Sequence, residues 1–296
     1  MTRHGFHRSN RSICALGMLV ALCAIAAPAQ KPASGQKVVQ DHAEYSAYTA
    51  AANTQDPTAR AEAFEGFCQQ YPKSVVFADA LEQEMAAWQA AGNSAEVKKT
   101  ARRLVAVDAG NIRALGIVVE LDRVSAEQGD ATALNEMCVD ATGGMLAVPM
   151  WRKPANMTDG NYDTLSKLMN VIFLGAEGYC AVQQKNYSQA RDWLARAIRT
   201  DPTNAPDTYQ LAVADLETTP VVVEGLWYCA RAIHLAQSSA IPQDAKSMAA
   251  DCEARYVKYH GASDGWDALV AAAASQDTPP KDFEKQIKAA AASPQK

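Results

Sequence analysis

The sequence predicts an all-α fold of stacked helix hairpins, and three observations carry that prediction. Of the 296 residues, 48% are hydrophobic but only 7% aromatic, with Ala supplying much of the apolar content. Ala loses least on entering a helix. Small and large apolar residues recur at helical spacing through LGAEGYCAVQQKNYSQARDWLARAIRTDPTN, residues 174–204. Strand alternation is missing: Val75–Val76–Phe77 and Val221–Val222–Val223 are short runs near a Pro and read as helix entry or loop.

Residues 1–29 read as a secretion signal. Arg3, Arg8 and Arg11 form the positive flank, Ile13–Ala27 the apolar segment and Ala27–Pro28–Ala29 the small-residue cleavage site, with cleavage expected after Ala29. An apolar run of roughly 15 residues is short for a bilayer span, which needs about 20. Leu22 is too bulky for lipid attachment at Cys23. The expected protein is therefore periplasmic or secreted, without an integral membrane segment. The leader carries three of the 28 basic residues and none of the 33 acidic ones, so its removal takes the net charge from −5 to about −8. An acidic surface argues against nucleic acid or anionic lipid as partner, because both demand a basic footprint.

Residues 30–41 lack a periodic apolar set and read as a disordered leader. Helical pattern begins at residue 42 and fills 42–142 as a first block of repeats. A unit at 44–77 places Ala47 and Ala51 on one helix, Ala63 and Phe67 on the next. A unit at 78–111 places Ala78, Leu81, Met85 and Trp88 before a Gly92–Asn93 turn, then Val97, Ala101 and Leu104. A unit at 112–145 carries Leu115, Val119 and Leu134. Residues 143–158 read as an insertion: Gly143–Gly144 is expected to stop a helix, and Pro149 and Pro154 force irregular backbone. Thr158–Asp159 then starts a long helix running into residues 171–204. This second block, 159–260, ends in helices expected at Asp207–Leu216, Glu224–Ala236 and Gln243–Tyr259, the last as capping element. A tail, 261–296, holds a short helix at Trp266–Ala274, and its final AAASPQK is expected to fray.

Within residues 171–204, Leu174, Gly178, Ala181, Ala190, Leu194, Ala197 and Pro202 mark two amphipathic helices joined at Lys185–Asn186–Tyr187. On these residues the chain resembles the tetratricopeptide repeat (TPR), a unit of about 34 residues. The resemblance covers residues 44 to about 236, and the run RYVKYHGASDGWD resembles the tail of exported bacterial TPR proteins. It implies a right-handed α-solenoid whose first helices line a concave groove for a peptide or a partner helix. The groove residues it implies here are Glu82, Gln89, Arg113, Glu120, Arg123, Tyr179, Gln183 and Tyr209. Where one TPR subgroup grips a C-terminal carboxylate with Lys, Asn and Arg, this chain has Glu82, Gln83 and Ala86, so that mode is not expected.

Catalytic and metal constellations are absent from the sequence, and no cofactor is expected. Past the leader the histidines are His42, His234 and His260, none at metal-ligand spacing. Cys229 and His234 fall on different helix faces, which argues against a nucleophile–base pair. Gly143–Gly144, and Gly261 and Gly265 on either side of Asp264, are turn glycines. Asp264 and Asp267 of the DGWD run are better read as loop acids, with Trp266 packing the tail, than as a cation site. Lys98, Lys99, Arg102 and Arg103 share one helical face and are expected on solvated outer surface. Of the cysteines at 68, 138, 180, 229 and 252, most read as small buried hydrophobes. Cys229 and Cys252 lie symmetrically about Ala240–Ile241 and form the one candidate disulfide. The function expected is a non-enzymatic protein–protein scaffold of the bacterial envelope. The alternative is a self-assembling envelope factor that oligomerises through exposed Met and Trp of the insertion; a hydrolase lacks the acid–base residues it would need.

Overall fold

The computed structural model describes residues 37–155, 157–238 and 242–290. The leader, its cleavage site, the Ala240–Ile241 turn and residues 291–296 lie outside the described residues. Those described form twelve α-helices and no strand: α1 (His42–Asn53), α2 (Pro57–Gln70), α3 (Phe77–Ala90), α4 (Ser94–Val107), α5 (Ile112–Glu127), α6 (Ala131–Ala147), α7 (Asp159–Gln183), α8 (Tyr187–Thr200), α9 (Ala205–Glu217), α10 (Glu224–Gln237), α11 (Pro242–His260) and α12 (Trp266–Ala273). The chain divides into two compact units between Ala109 and Gly110.

Short polar side chains set where the helices begin. Asp41, Asp56, Asn93, Asn111, Asp130, Thr158, Asn186 and Asn204 each accept a hydrogen bond from a backbone N–H of the first turn, for example Asp56 from Ala59 at 2.8 Å. Such a cap is worth about 1 kcal/mol. The turns repeat as well. After α3, α5 and α7 the chain closes with the same backbone bond: Asn93 N to Trp88 O, Asp130 N to Ser125 O and Asn186 N to Ala181 O, at 3.1, 3.1 and 2.8 Å. The residue before each cap takes positive φ, 72° at Gly92, 94° at Gly129 and 59° at Lys185. Glycine adopts that conformation without penalty, and this helix-ending geometry is the one it favours. Three hairpins with one closure make the chain helical-repeat-like.

In the first unit, α1 packs on α2, α2 on α3 and α3 on α4. Phe64, Leu81, Met85, Val97, Ala101 and Leu104 are fully buried, and Tyr48 meets Phe64 and Phe67 edge-on at 5.5 and 5.4 Å. A carboxylate sits inside this core. Glu84 accepts from Thr100 Oγ1 at 2.7 Å and pairs with Arg103 at 2.8 Å, and burial lifts its carboxyl above the usual range. The basic cluster of α4 is therefore not a uniform solvated face. Arg103 turns inward to Glu84, while Lys99 reaches Glu65 and Glu96. Cys68, also buried here, has its thiol pushed up to about 11 by burial.

The second unit continues hairpin by hairpin: α5–α6, α7–α8 and α9–α10 pack internally, and α6 on α7, α8 on α9 and α10 on α11 join them. Gly143 and Gly144 do not stop α6, which runs on to Ala147 and into a 3₁₀ turn, Val148–Met150. A Cβ at Gly144 would overlap the ring of fully buried Phe173, so glycine here lets α6 approach α7. The irregular insertion thus begins later than expected. Trp151 stacks on Tyr162 at 4.7 Å and accepts from its hydroxyl through its carbonyl at 2.8 Å, folding the insertion onto the start of α7.

Gly178 meets Leu194 of α8 in the same way. Gly178→Leu is expected to overpack that crossing and lower the unfolding free energy by roughly 1–3 kcal/mol. An unchanged urea midpoint would contradict the packing.

Two disulfides hold this unit. Cys229 of α10 and Cys252 of α11 are bonded, with Cα atoms 5.5 Å apart. Cys138 of α6 and Cys180 of α7 are bonded as well, with Cα atoms 5.9 Å apart. That second bridge corrects the reading of both cysteines as plain hydrophobes. Past α11 the tail folds back. Trp266 packs at 5.3 Å on Tyr256, Phe283 meets Trp227 edge-on at 5.6 Å, and Ala290 N–H donates to Tyr259 O at 2.8 Å. Ala290, expected to fray, is thus held.

Candidate functional site

The first helices of three successive hairpins lie side by side, since α7 touches both α5 and α9. Three of the residues proposed for a groove meet on this row. Arg123 projects from α5, and its guanidinium lies 5.6 Å from the ring centre of Tyr179 on α7. Its Nη1 reaches Oδ1 of Asp207 on α9 at 2.8 Å, and its Nε donates to Glu127 at 3.2 Å. The third, Glu120, lies one turn before Arg123 on α5 and shares its electrostatic field. The Arg123–Asp207 pair crosses above α7 at Gly175, where a Cβ would collide with the Asp207 carboxylate. Asp207 is in turn placed by the start of α9, its N–H donating to the Asn204 cap at 2.9 Å.

Burial defines the chemistry of the cluster. Asp207 is 0% exposed, Arg123 8% and Tyr179 6%. Burial opposes the Arg123 charge, yet Asp207, Glu127 and Glu120 outweigh it and hold its pKa above the ordinary value. Burial also raises the Glu120 carboxyl, against the pull of Arg123 and with the help of Asp207 and Glu127. Three carboxyl groups thus surround one guanidinium. The 2.8 Å contact is charge to charge: neither Asp207 oxygen, nor Arg123 Nη2, has an in-line hydrogen bond among the described residues. Arg123 and Tyr179 are consequently committed to the interior, and Gln183, Glu127 and part of Glu120 face solvent around them.

The remaining expected groove residues sit elsewhere. Glu82 and Gln89 belong to α3 in the first unit, both partly buried, with Gln89 Nε2 enclosed. Arg113 stands at the start of α5, partly buried and engaged. Tyr209 is tied to α11: its hydroxyl donates to Asp251 at 2.8 Å, and Arg255 bonds the same carboxylate at 2.6 Å and Glu217 at 2.9 Å. Burial, joined by Asp251, raises the Tyr209 pKa. Sequence reasoning missed Asp207, Glu127 and Gly175. Asp207 looks like any acid in a helix's first turn, and only the glycine beneath it hints at a crossing.

No group of His, Cys, Asp and Glu among the described residues is placed to hold a metal ion, and no described helix is long and apolar enough to cross a membrane. No protein-family model matches the chain, and no curated protein matches it. What the geometry establishes among the described residues is an all-α, helical-repeat-like chain, consistent with the TPR pattern, with a buried polar cluster around Arg123 that joins α5, α7 and α9.

Proposed function

We propose that this protein is a non-enzymatic scaffold of the bacterial envelope, exported to the periplasm or beyond, which docks a partner peptide or helix along α5 and α7. Its hairpins are taken as TPR-type, winding within the second unit as a right-handed solenoid. The observation that carries the reading is the row of first helices α5, α7 and α9, with Glu127 and Gln183 exposed and Glu120 partly exposed beside a fixed polar core. Carboxylates outnumber guanidinium there, which favours a partner bearing Lys or Arg. Export is supported by the two disulfides, because such bonds persist in oxidising compartments.

The test is a polarisation titration with basic and acidic unstructured peptides of matched length. A basic peptide is expected to bind, to weaken with added salt, and to lose about tenfold in affinity on Glu120→Gln with Gln183→Lys. Equal binding by wild type and variant, or a preference for the acidic peptide, would discard this surface. A self-assembling envelope factor remains the second reading, favoured by one exposed apolar helix face.

A further inference from the structure

We propose that the outward face of α6 is a self-association surface on which a second copy of this chain docks in antiparallel register. The inner side of α6 buries Met137, Ala141 and Gly144. On the other side Val139, Leu146 and Met150 are 73%, 70% and 78% exposed, more than any other large apolar side chain among the described residues. Their spacing of seven and then four places them on one face, carried on through the 3₁₀ turn. Scattered single apolar residues need no explanation, but a contiguous row marks an interaction site. Between them lie Thr142, whose hydroxyl donates to Glu177 of α7 at 2.5 Å, and the partly buried Gly143. Trp151, expected to share this surface, is stacked on Tyr162 instead.

Charge selects the occupant. From residue 137 to 151 the sole charged side chain is the buried Asp140. Exposed Glu136, itself engaged within the chain, stands at the amino end of the row, and exposed Arg152 and Lys153 stand just past its carboxyl end. Lys153 also pairs with Asp159, which leaves Arg152 as the main cation of that end. Turn a second copy head to tail about a two-fold axis near residues 143–146. Val139 then falls opposite Met150 of the second copy, and Leu146 falls over Gly143. Glu136 meets Arg152 and Lys153 at both ends. A parallel pairing would instead set acid against acid and base against base. The face is complementary to its own inverse, as an isologous contact requires. A uniformly basic or uniformly acidic partner would match one end and clash with the other.

This inference stands apart from peptide docking on α5 and α7, and loss of either leaves the other in place. Sedimentation equilibrium of the purified protein across the micromolar range tests it. The expected result is a monomer–dimer equilibrium that weakens by about tenfold or more for Leu146→Glu with Met150→Glu, and likewise for Glu136→Lys alone. Combining Glu136→Lys with Arg152→Glu and Lys153→Glu is expected to restore association, a recovery that misfolding would not produce. A wild type that stays monomeric, an undiminished Leu146→Glu/Met150→Glu dimer, or no recovery in the charge-exchanged protein would overturn it.

Discussion

Arg123→Met is expected to destabilise the second unit by about 3–5 kcal/mol, among the largest effects available from one substitution. The Asp207 carboxylate would remain fully buried with no guanidinium to balance it, and the Gly175 backbone presses against it from α7. Adding Asp207→Asn removes the stranded charge, so the double variant should recover much of the loss. The asymmetry follows from the cost of desolvation: a buried pair is worth little over a neutral filling, but half a pair is expensive. Urea unfolding followed by circular dichroism measures both variants, and the two units are expected to give separable transitions. A loss under about 1 kcal/mol would mean that Asp207 reaches water and the crossing is not closed.

Reduction is expected to produce an effect of similar size, again confined to one unit. Both disulfides join helices after residue 110, whereas Cys68 of the first unit is free. The bridges close chain segments of 42 and 23 residues. In the chain-entropy picture these are worth roughly 4 and roughly 3 kcal/mol. With each kilocalorie moving the midpoint of a domain of this size by about 2–4 °C, reductant should lower one thermal transition by about 10 °C or more. The other transition should hold its place. Calorimetry with and without a phosphine reductant reads this directly, and equal shifts in both transitions would count against the assignment.

The two cases show what the sequence could and could not reveal. Helix limits were legible because they are local: a polar cap such as Asn204 or Asn186, an apolar period, a positive-φ turn at Gly92. The long α7 from Asp159, capped by Thr158, was readable on those grounds. Gly143–Gly144 misled because the rule that glycine ends helices is also local, while here the large ring of Phe173 sets the choice. Cys138 and Cys180 are far apart in sequence with the insertion between them, so no symmetry about a turn pointed to the pair, as it did for Cys229 and Cys252. The site was legible only as a set of polar positions on first helices. That Arg123 and Tyr179 face inward, and that Tyr209 serves α11, depends on which helix lies one hairpin away.

The returning tail decides what the last two long helices can offer to anything else. Phe283 against Trp227, and Ala290 on the carbonyl of Tyr259, cover residues of α10 and α11 that another helix would otherwise meet. A further helix could therefore reach Trp227 or the Tyr259 carbonyl only after the tail had been displaced. Removing the chain from residue 261 onward would uncover Trp227 and Tyr256 together.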